Sequence, residues 1–190
     1  MRVLGINGSP RRGGNTEILL DEVLKGAASR GAEVRTVALN PLKILPCQHC
    51  DACLKTGKCR INDDMQDIYA ELEQADRIVL AAPIHFMGLS AQAKAMIDRC
   101  QCLWARKYVL KVPPLGDDRP RKGLFVSVGG TKYRNVFDAG RQVVQSLFTV
   151  LNVEYAGELL FKGVDEKGAI ARQPDALKQT YEAGQKLVEE

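Results

Sequence analysis

Several absences narrow what this chain can be. No apolar run approaches the roughly 18 residues that a membrane-spanning helix needs, so no membrane partner is expected. The opening apolar run, Arg2 to Asn7, is too short for the hydrophobic region of a secretory leader, and a cytoplasmic protein is expected. The formal charge is only +4 and is not gathered into one basic tract, which argues against a nucleic-acid partner. No internal repeat or low-complexity tract is evident. What remains is 190 residues of ordinary globular composition, 45% hydrophobic and 26% charged, enough for a single domain (1–190) with a real core. One count stands out. Six cysteines are many for an intracellular chain, where disulfides are unusual, so metal or redox roles rise in weight.

The stretch around which the chain is organised is Gly8-Ser9-Pro10-Arg11-Arg12-Gly13-Gly14-Asn15-Thr16. It follows a short apolar run, Arg2 to Asn7, and precedes an amphipathic helix from about Thr16 to Ser29. Strand, Gly-rich polar loop and helix start together make an anion site: loop amides and first-turn N–H groups converge, and the helix dipole favours negative charge. Ser9, Asn15 and Thr16 add donors, and Arg11 and Arg12 add charge. Two phosphate motifs are missing. Gly8 and Gly13 have P-loop spacing, but Gly14 stands where the lysine belongs, and there is no G-x-G-x-x-G fingerprint. A phosphate monoester of the flavin mononucleotide type fits better; the bland alternative is a turn carrying two loose arginines.

Further along, Glu33–Leu39, Arg77–Ala82, Gly123–Val128 and Val153–Phe161 read as strands, and helical periods follow each of them. Asp63 or Asp64 can cap a helix bearing Ile68, Tyr69, Leu72 and Ala75. Pro83 to Gly88 is expected to be a loop. Leu89, Ala93, Met96, Ile97 and Cys100 mark one helix face. Residues 104–120 read as an excursion off the core that covers the ligand or a partner subunit. Five alternations of strand and helix predict an α/β three-layer sandwich around a five-stranded parallel sheet, order 2-1-3-4-5, with a Rossmann-like order as the alternative. A cysteine-rich insert, 40–64, follows the second strand.

Three strand ends then meet at one rim. The first holds phosphate. Pro83, Ile84, His85, Phe86 and Met87 offer amides and an aromatic group to flank a flat ring. Ser127, Val128, Gly129 and Gly130 bring flexible backbone to its other edge, where donors tune a flavin. His85 either stacks or donates a hydrogen bond, or simply faces solvent. These residues resemble the NAD(P)H-dependent FMN reductase superfamily of flavodoxin-like proteins. The resemblance rests on Gly8-Ser9-Pro10-Arg11, Gly14-Asn15-Thr16, Ala82-Pro83-Ile84-His85-Phe86, Leu89-Ser90 and Asp98-Arg99, and runs from residue 1 to about 160. Ser127-Val128 departs from the threonine-glycine usual in the third loop. The resemblance implies a flavodoxin-like fold and FMN, with Ser9, Arg11, Asn15 and Thr16 on its phosphate and the other two loops around the ring. It also implies a homodimer or homotetramer and no catalytic side chain beyond the cofactor.

Cys47, Cys50, Cys53 and Cys59 form the second signal, spaced C-x2-C-x2-C-x5-C. Three thiolates at intervals of three can wrap one face of a cubane and a fourth can close it. Structural zinc, or a loop that holds no metal, are the alternatives. The spacing resembles that of the iron–sulfur flavoproteins, a branch of the same superfamily, which implies a [4Fe–4S] cluster beside FMN. Cys100 and Cys102 lie two apart on a helix and are expected to be outside any cluster, with Cys100 in the core. The expected function is therefore an FMN-dependent oxidoreductase relaying electrons through a [4Fe–4S] cluster, with ferredoxin or NAD(P)H as donor and oxygen species or quinones as acceptors. An FMN or quinone reductase without a working cluster, and a zinc-stabilised interaction module, are the competing readings.

Overall fold

The computed structural model describes residues 1–189. In chain order its elements are β1 (Arg2–Asn7), α1 (Asn15–Ala28), β2 (Glu33–Ala38), α2 (Ala52–Thr56), α3 (Met65–Gln74) and β3 (Arg77–Ala81). A small hairpin, β4 (Ile84–His85) and β5 (Gly88–Leu89), comes next, followed by α4 (Ala91–Arg99) and α5 (Gln101–Tyr108). The chain ends with β6 (Arg121–Gly129), α6 (Asp138–Leu151), β7 (Val153–Lys162), a 3-10 turn (Ala169–Arg172) and α7 (Pro174–Leu187).

The main sheet is parallel throughout, in the order β2-β1-β3-β6-β7. Without the hairpin this is the expected 2-1-3-4-5 order, the flavodoxin-like one. Successive residues of β1 and β3 serve opposite faces, as the strand period of two requires. Leu4, Ile6, Ile78 and Leu80 pack with Ile68, Met96, Leu103 and Phe148 under α3, α4, α5 and α6. Val3, Val79 and Ala81 pack with Leu19, Leu20, Val23 and Leu187 under α1 and α7. Burial on both faces explains why β3 reads as a continuous apolar run, whereas β2, at the edge, is almost wholly exposed.

Two segments differ from expectation. Pro83 to Gly88 carries a two-stranded hairpin whose turn residues, Phe86 and Met87, have φ of 48° and 65°. Two positive φ values are the tight hairpin turn that matches strand twist. The stretch 104–120 begins as the second half of α5, whose Cys102, Leu103 and Ala105 are buried in the core, while Trp104, Tyr108, Val109 and Val112 stay exposed. Among the described residues no helix is long and apolar enough to cross a membrane.

Two glycines decide how closely α1 meets α7. A Cβ on Gly26 would lie 2.0 Å from the Tyr181 carbonyl oxygen, and one on Gly184 would lie 2.0 Å from that of Val23. Both neighbours are backbone and have nowhere to go. Gly26→Ala and Gly184→Ala are each expected to cost about 3 kcal/mol, the upper end of ordinary overpacking. A urea midpoint indistinguishable from the parent would show that the helices can separate without loss.

Candidate active site

The glycine-rich loop after β1 is fixed from below. Gly8 donates its N–H to the Ala81 carbonyl at 2.7 Å, and its own carbonyl accepts from Ser90 Oγ at 2.5 Å. A Cβ at Gly8 would come within 2.9 Å of the Ala93 side chain, so the loop can lie this close to α4 only as glycine. Asn7 Oδ1 accepts the Ser9 N–H at 2.9 Å, and Ser9 Oγ accepts the Arg11 N–H at 3.1 Å. The first internal bond of α1 is Ile18 N–H to the Gly14 carbonyl. The N–H groups of Asn15, Thr16 and Glu17 therefore face out of the helix at its positive end. Ser9, Arg11, Gly14 and Thr16 line a cleft of about 130 Å³ with Pro83, Ile84, His85, Val128 and Gly130. A second hollow of about 300 Å³ adjoins it through Ile84 and Gly130, lined also by Phe86, Met87, Thr131, Tyr133 and Val136. A polar, helix-capped end and an apolar end side by side are what a phosphorylated flat ring requires.

Three expected residues play other parts. The Asn15 carboxamide donates to the Glu166 carbonyl at 2.9 Å and accepts the Ile170 N–H at 3.1 Å, so it pins the loop before α7, with its second amide hydrogen and its backbone N–H left for an anion. Ser127 is fully buried and donates to the Ala82 carbonyl at 2.7 Å, joining the ends of β3 and β6 behind the cleft. The Gly129 carbonyl accepts from Gly163 and Val164, so it is already engaged within the protein. His85 is exposed at the cleft, and Phe86 is completely exposed at the hairpin tip. Thr131, Tyr133, Val136, Val164 and Asp165 line the two hollows without having been expected there. Tyr133, two residues past the glycine pair's follower Thr131, is the one that an aromatic next to a Gly-rich strand end could have flagged.

The cysteine loop closes over the far side of the sheet. Cys47, Cys50, Cys53 and Cys59 line one hollow, and so does Cys102 from α5. The expectation placed Cys102 outside any cluster but not beside this loop: α2 and α5 pack together, and Cys102 lines the same hollow as Cys53 and Cys59. Cys100 is buried in the core as expected, and all six cysteines are free thiols. Burial raises the Cys53 and Cys102 thiols above their ordinary value, and like neighbours add to it. His49 and Asp51, at φ of 48° and 58°, turn the chain between the first three cysteines.

Arg99 holds this loop shut. Its side chain has no exposed surface. Nη1 donates to Asp63 Oδ2 at 2.6 Å and to the Leu45 carbonyl at 2.8 Å, and Nη2 donates to Asp63 Oδ1 at 3.0 Å and to the Ile61 carbonyl at 3.3 Å. Both flanks of the loop thus hang on one guanidinium. Asp63 also accepts N–H bonds from Leu45 and from Met65, the first residue of α3.

The hollow's chemistry suits a soft metal group. Its lining offers thiols and one buried N–H donor without an acceptor, Nε of Arg99. Among the described residues no three Cys, His, Asp or Glu side chains converge on a single ion position. A tetrahedral zinc needs four ligands at about 2.0–2.3 Å from one point, whereas a cubane takes thiolates around its perimeter. The hollow, about 20 Å³, has room for little more than one water, so the loop has to spread to receive a cluster.

Residues 1–157 match the family described as NADPH-dependent FMN reductase. The chain belongs to this family. It is 41% identical over 150 residues to an iron-sulfur flavoprotein of Archaeoglobus fulgidus, covering 79% of this chain and 72% of the relative. It is 37% identical to an iron-sulfur flavoprotein of Methanosarcina thermophila, covering 70% and 65%. Its backbone superposes on an FMN-dependent NADH-azoreductase of Bacillus anthracis, in complex with FMN, with a TM-score of 0.70 at 14% identity over 100% of both chains. That likeness shows the shared fold.

The Arg99–Asp63 pair gives the loop a pH dependence. Burial works to raise the Asp63 carboxyl, but the Arg99 bonds and the N–H groups of Leu45 and Met65 prevail and hold it below its ordinary 3.8. A depressed folded value contributes stability that is present above the unfolded value and lost as pH falls through the folded one. The parent protein should therefore lose stability below about pH 4 as Asp63 titrates. Asp63→Asn should cost about 3 kcal/mol at pH 7 by leaving Arg99 unanswered, and its denaturant midpoint should fall less steeply from pH 5 to pH 3.

Proposed function

We propose that this member of the FMN reductase family is a flavin-dependent oxidoreductase that holds FMN at the sheet rim and exchanges electrons with a [4Fe–4S] cluster in the cysteine loop. The observation that carries the reading is the junction of two hollows at Ile84 and Gly130: one is polar and capped by α1, the other is apolar and rimmed by Phe86 and Tyr133. When bound, FMN supplies chemistry that accepts two electrons together and releases them singly, and the cluster moves one at a time. The chain's own part is placement. The N–H groups at the start of α1, with Ser9, Arg11 and Thr16, hold the phosphate. Ile84, His85, Val128 and Gly130 shape the passage to the ring, and Phe86, Met87 and Tyr133 offer it apolar surface at the open rim. Cys47, Cys50, Cys53 and Cys59 are the cluster ligands and do not attack substrate.

The iron-sulfur flavoprotein names of the relatives support the cluster, as do the soft donor set and the open N–H of Arg99. A one-electron carrier such as ferredoxin, or NAD(P)H stacking on the exposed ring, is the donor, and oxygen species or quinones are the acceptors. Family membership sets aside the zinc-stabilised interaction module with an inert sheet. We also propose that the working form is a homodimer or homotetramer in the cytoplasm. Trp104, Tyr108, Val109 and Val112 lie exposed along and just beyond α5, next to a groove of about 410 Å³ between α4, α5 and α6. A second chain would cover them.

Purified protein should release FMN and not FAD. Arg11→Ala should weaken FMN binding about tenfold to a hundredfold, as loss of a charge-assisted bond does; unaltered affinity in a flavin titration would move the phosphate elsewhere. Anaerobically prepared protein should carry about four irons and four sulfides per chain, the complement of a cubane, lost in Cys50→Ala while FMN stays. Stoichiometric FMN with no iron would leave the simpler reductase of FMN or quinones. Sedimentation should give a species larger than 20.9 kDa, and Trp104→Glu should shift it toward the monomer.

A further inference from the structure

Arg99 does more than tether the loop. Four of its hydrogen bonds come from Nη1 and Nη2 and fix the head of the side chain between Asp63, Leu45 and Ile61. The Nε–H has no partner among the described residues, although its surroundings are dry. A buried donor left open is costly, so native structures satisfy such groups. Arg99 and Cys59 line the same cysteine hollow. The neighbouring Asp98, by contrast, is exposed and paired with Lys94. The oxygen-bearing side chains that line the hollow, Gln48, Asp51 and Gln101, make no bond to Nε, and the rest of what the hollow offers is sulfur.

We propose that Arg99 is a positioning residue for the metal group: its Nε–H donates to the sulfur of Cys59 when Cys59 is a ligand, and this bond sets the reduction potential of the cluster. The inference rests on the cluster reading above. Reduction adds an electron that is shared with the ligand sulfurs. An N–H donor and a fixed positive charge stabilise the sulfur more after that electron arrives than before, so they raise the potential. Arg99 suits the task because its other donors are committed, which leaves Nε no freedom to turn away. Lysine could keep a charge near Asp63 but has no donor at the Nε position.

The test uses anaerobic full-length protein. Iron and sulfide content is measured first, then the midpoint of the cluster by potentiometric titration followed with EPR. Arg99→Lys that retains iron should have a midpoint lower by about 59 mV, one tenfold change for a single electron. Asp63→Asn keeps Nε and removes a negative charge, so its midpoint should be no lower than the parent's. A role confined to tethering predicts the same response from both variants. Where Arg99→Lys fails to hold iron, the parent labelled with 15N-arginine decides: the reduced cluster should show a hyperfine coupling to one arginine nitrogen in pulsed EPR. An iron-loaded Arg99→Lys with the parent midpoint, or a parent without that coupling, overturns the assignment of Arg99 and leaves the cluster reading intact. Parent protein without iron overturns both.

Discussion

The buried ion pair between Arg99 and Asp63 is the interaction on which the cysteine-loop side of the molecule depends. Removing two charges from water is expensive, and the cost is offset only when the pair's geometry is good and further hydrogen bonds take up the remaining donors and acceptors; here all but Nε of Arg99 are taken up. Here the carboxylate meets two guanidinium nitrogens and two peptide N–H groups, and the guanidinium also meets two peptide oxygens. The oxygens belong to Leu45 and Ile61, so the pair gathers both ends of an insert with little regular structure of its own. The Arg99 carbonyl is equally engaged, accepting from Tyr69 Oη at 2.7 Å. One residue at the end of α4 thus connects α3, the cysteine loop and the break between α4 and α5.

The flavin half depends on topology. A parallel sheet places the carboxyl ends of β1, β3 and β6 along one rim, and the loops that leave them meet there regardless of their distance in sequence. Arg11 and Gly130 share a cleft for that reason. The loops are stiffened by bonds to each other's supports: Gly8 to Ala81 and Ser90, and Ser127 to Ala82. A site so braced meets its ligand largely preformed, which lowers the ordering cost of binding.

The fold was legible because it is written in periods. β1, β3 and β6 are apolar runs, α1 and α6 repeat at helical spacing, and the strand order follows from right-handed crossovers. The hairpin at Ile84 to Leu89 was not legible, because two-residue strands contain no period. Asn15 shows the limit for single polar residues. Its place in the loop suggested an anion donor, yet its carboxamide also binds residues 151 and 155 positions away, which no local pattern reveals. Cys102 could be compared only with Cys100 on its own helix, while its neighbour in space is α2 from another part of the chain. Arg99 stood in the sequence only as half of an Asp-Arg pair; that its charge would be fully buried depends on tertiary packing alone.

The contact between α1 and α7 has a consequence for how the chain can vary. The family match ends at residue 157, so α7 lies beyond it, yet α7 presses on the helix whose first turn lines the polar cleft. Arg77 Nε adds a bond from β3 to the Leu187 carbonyl at 2.8 Å. The C-terminal helix is therefore not a free appendage. Because Gly26 accommodates the backbone of α7 and Gly184 that of α1, the two positions form one lock read from opposite sides. A chimera that grafts another protein's last helix onto this sheet would inherit the glycine-rich loop unchanged in sequence, but would keep its geometry only if the graft carried a glycine at the same height.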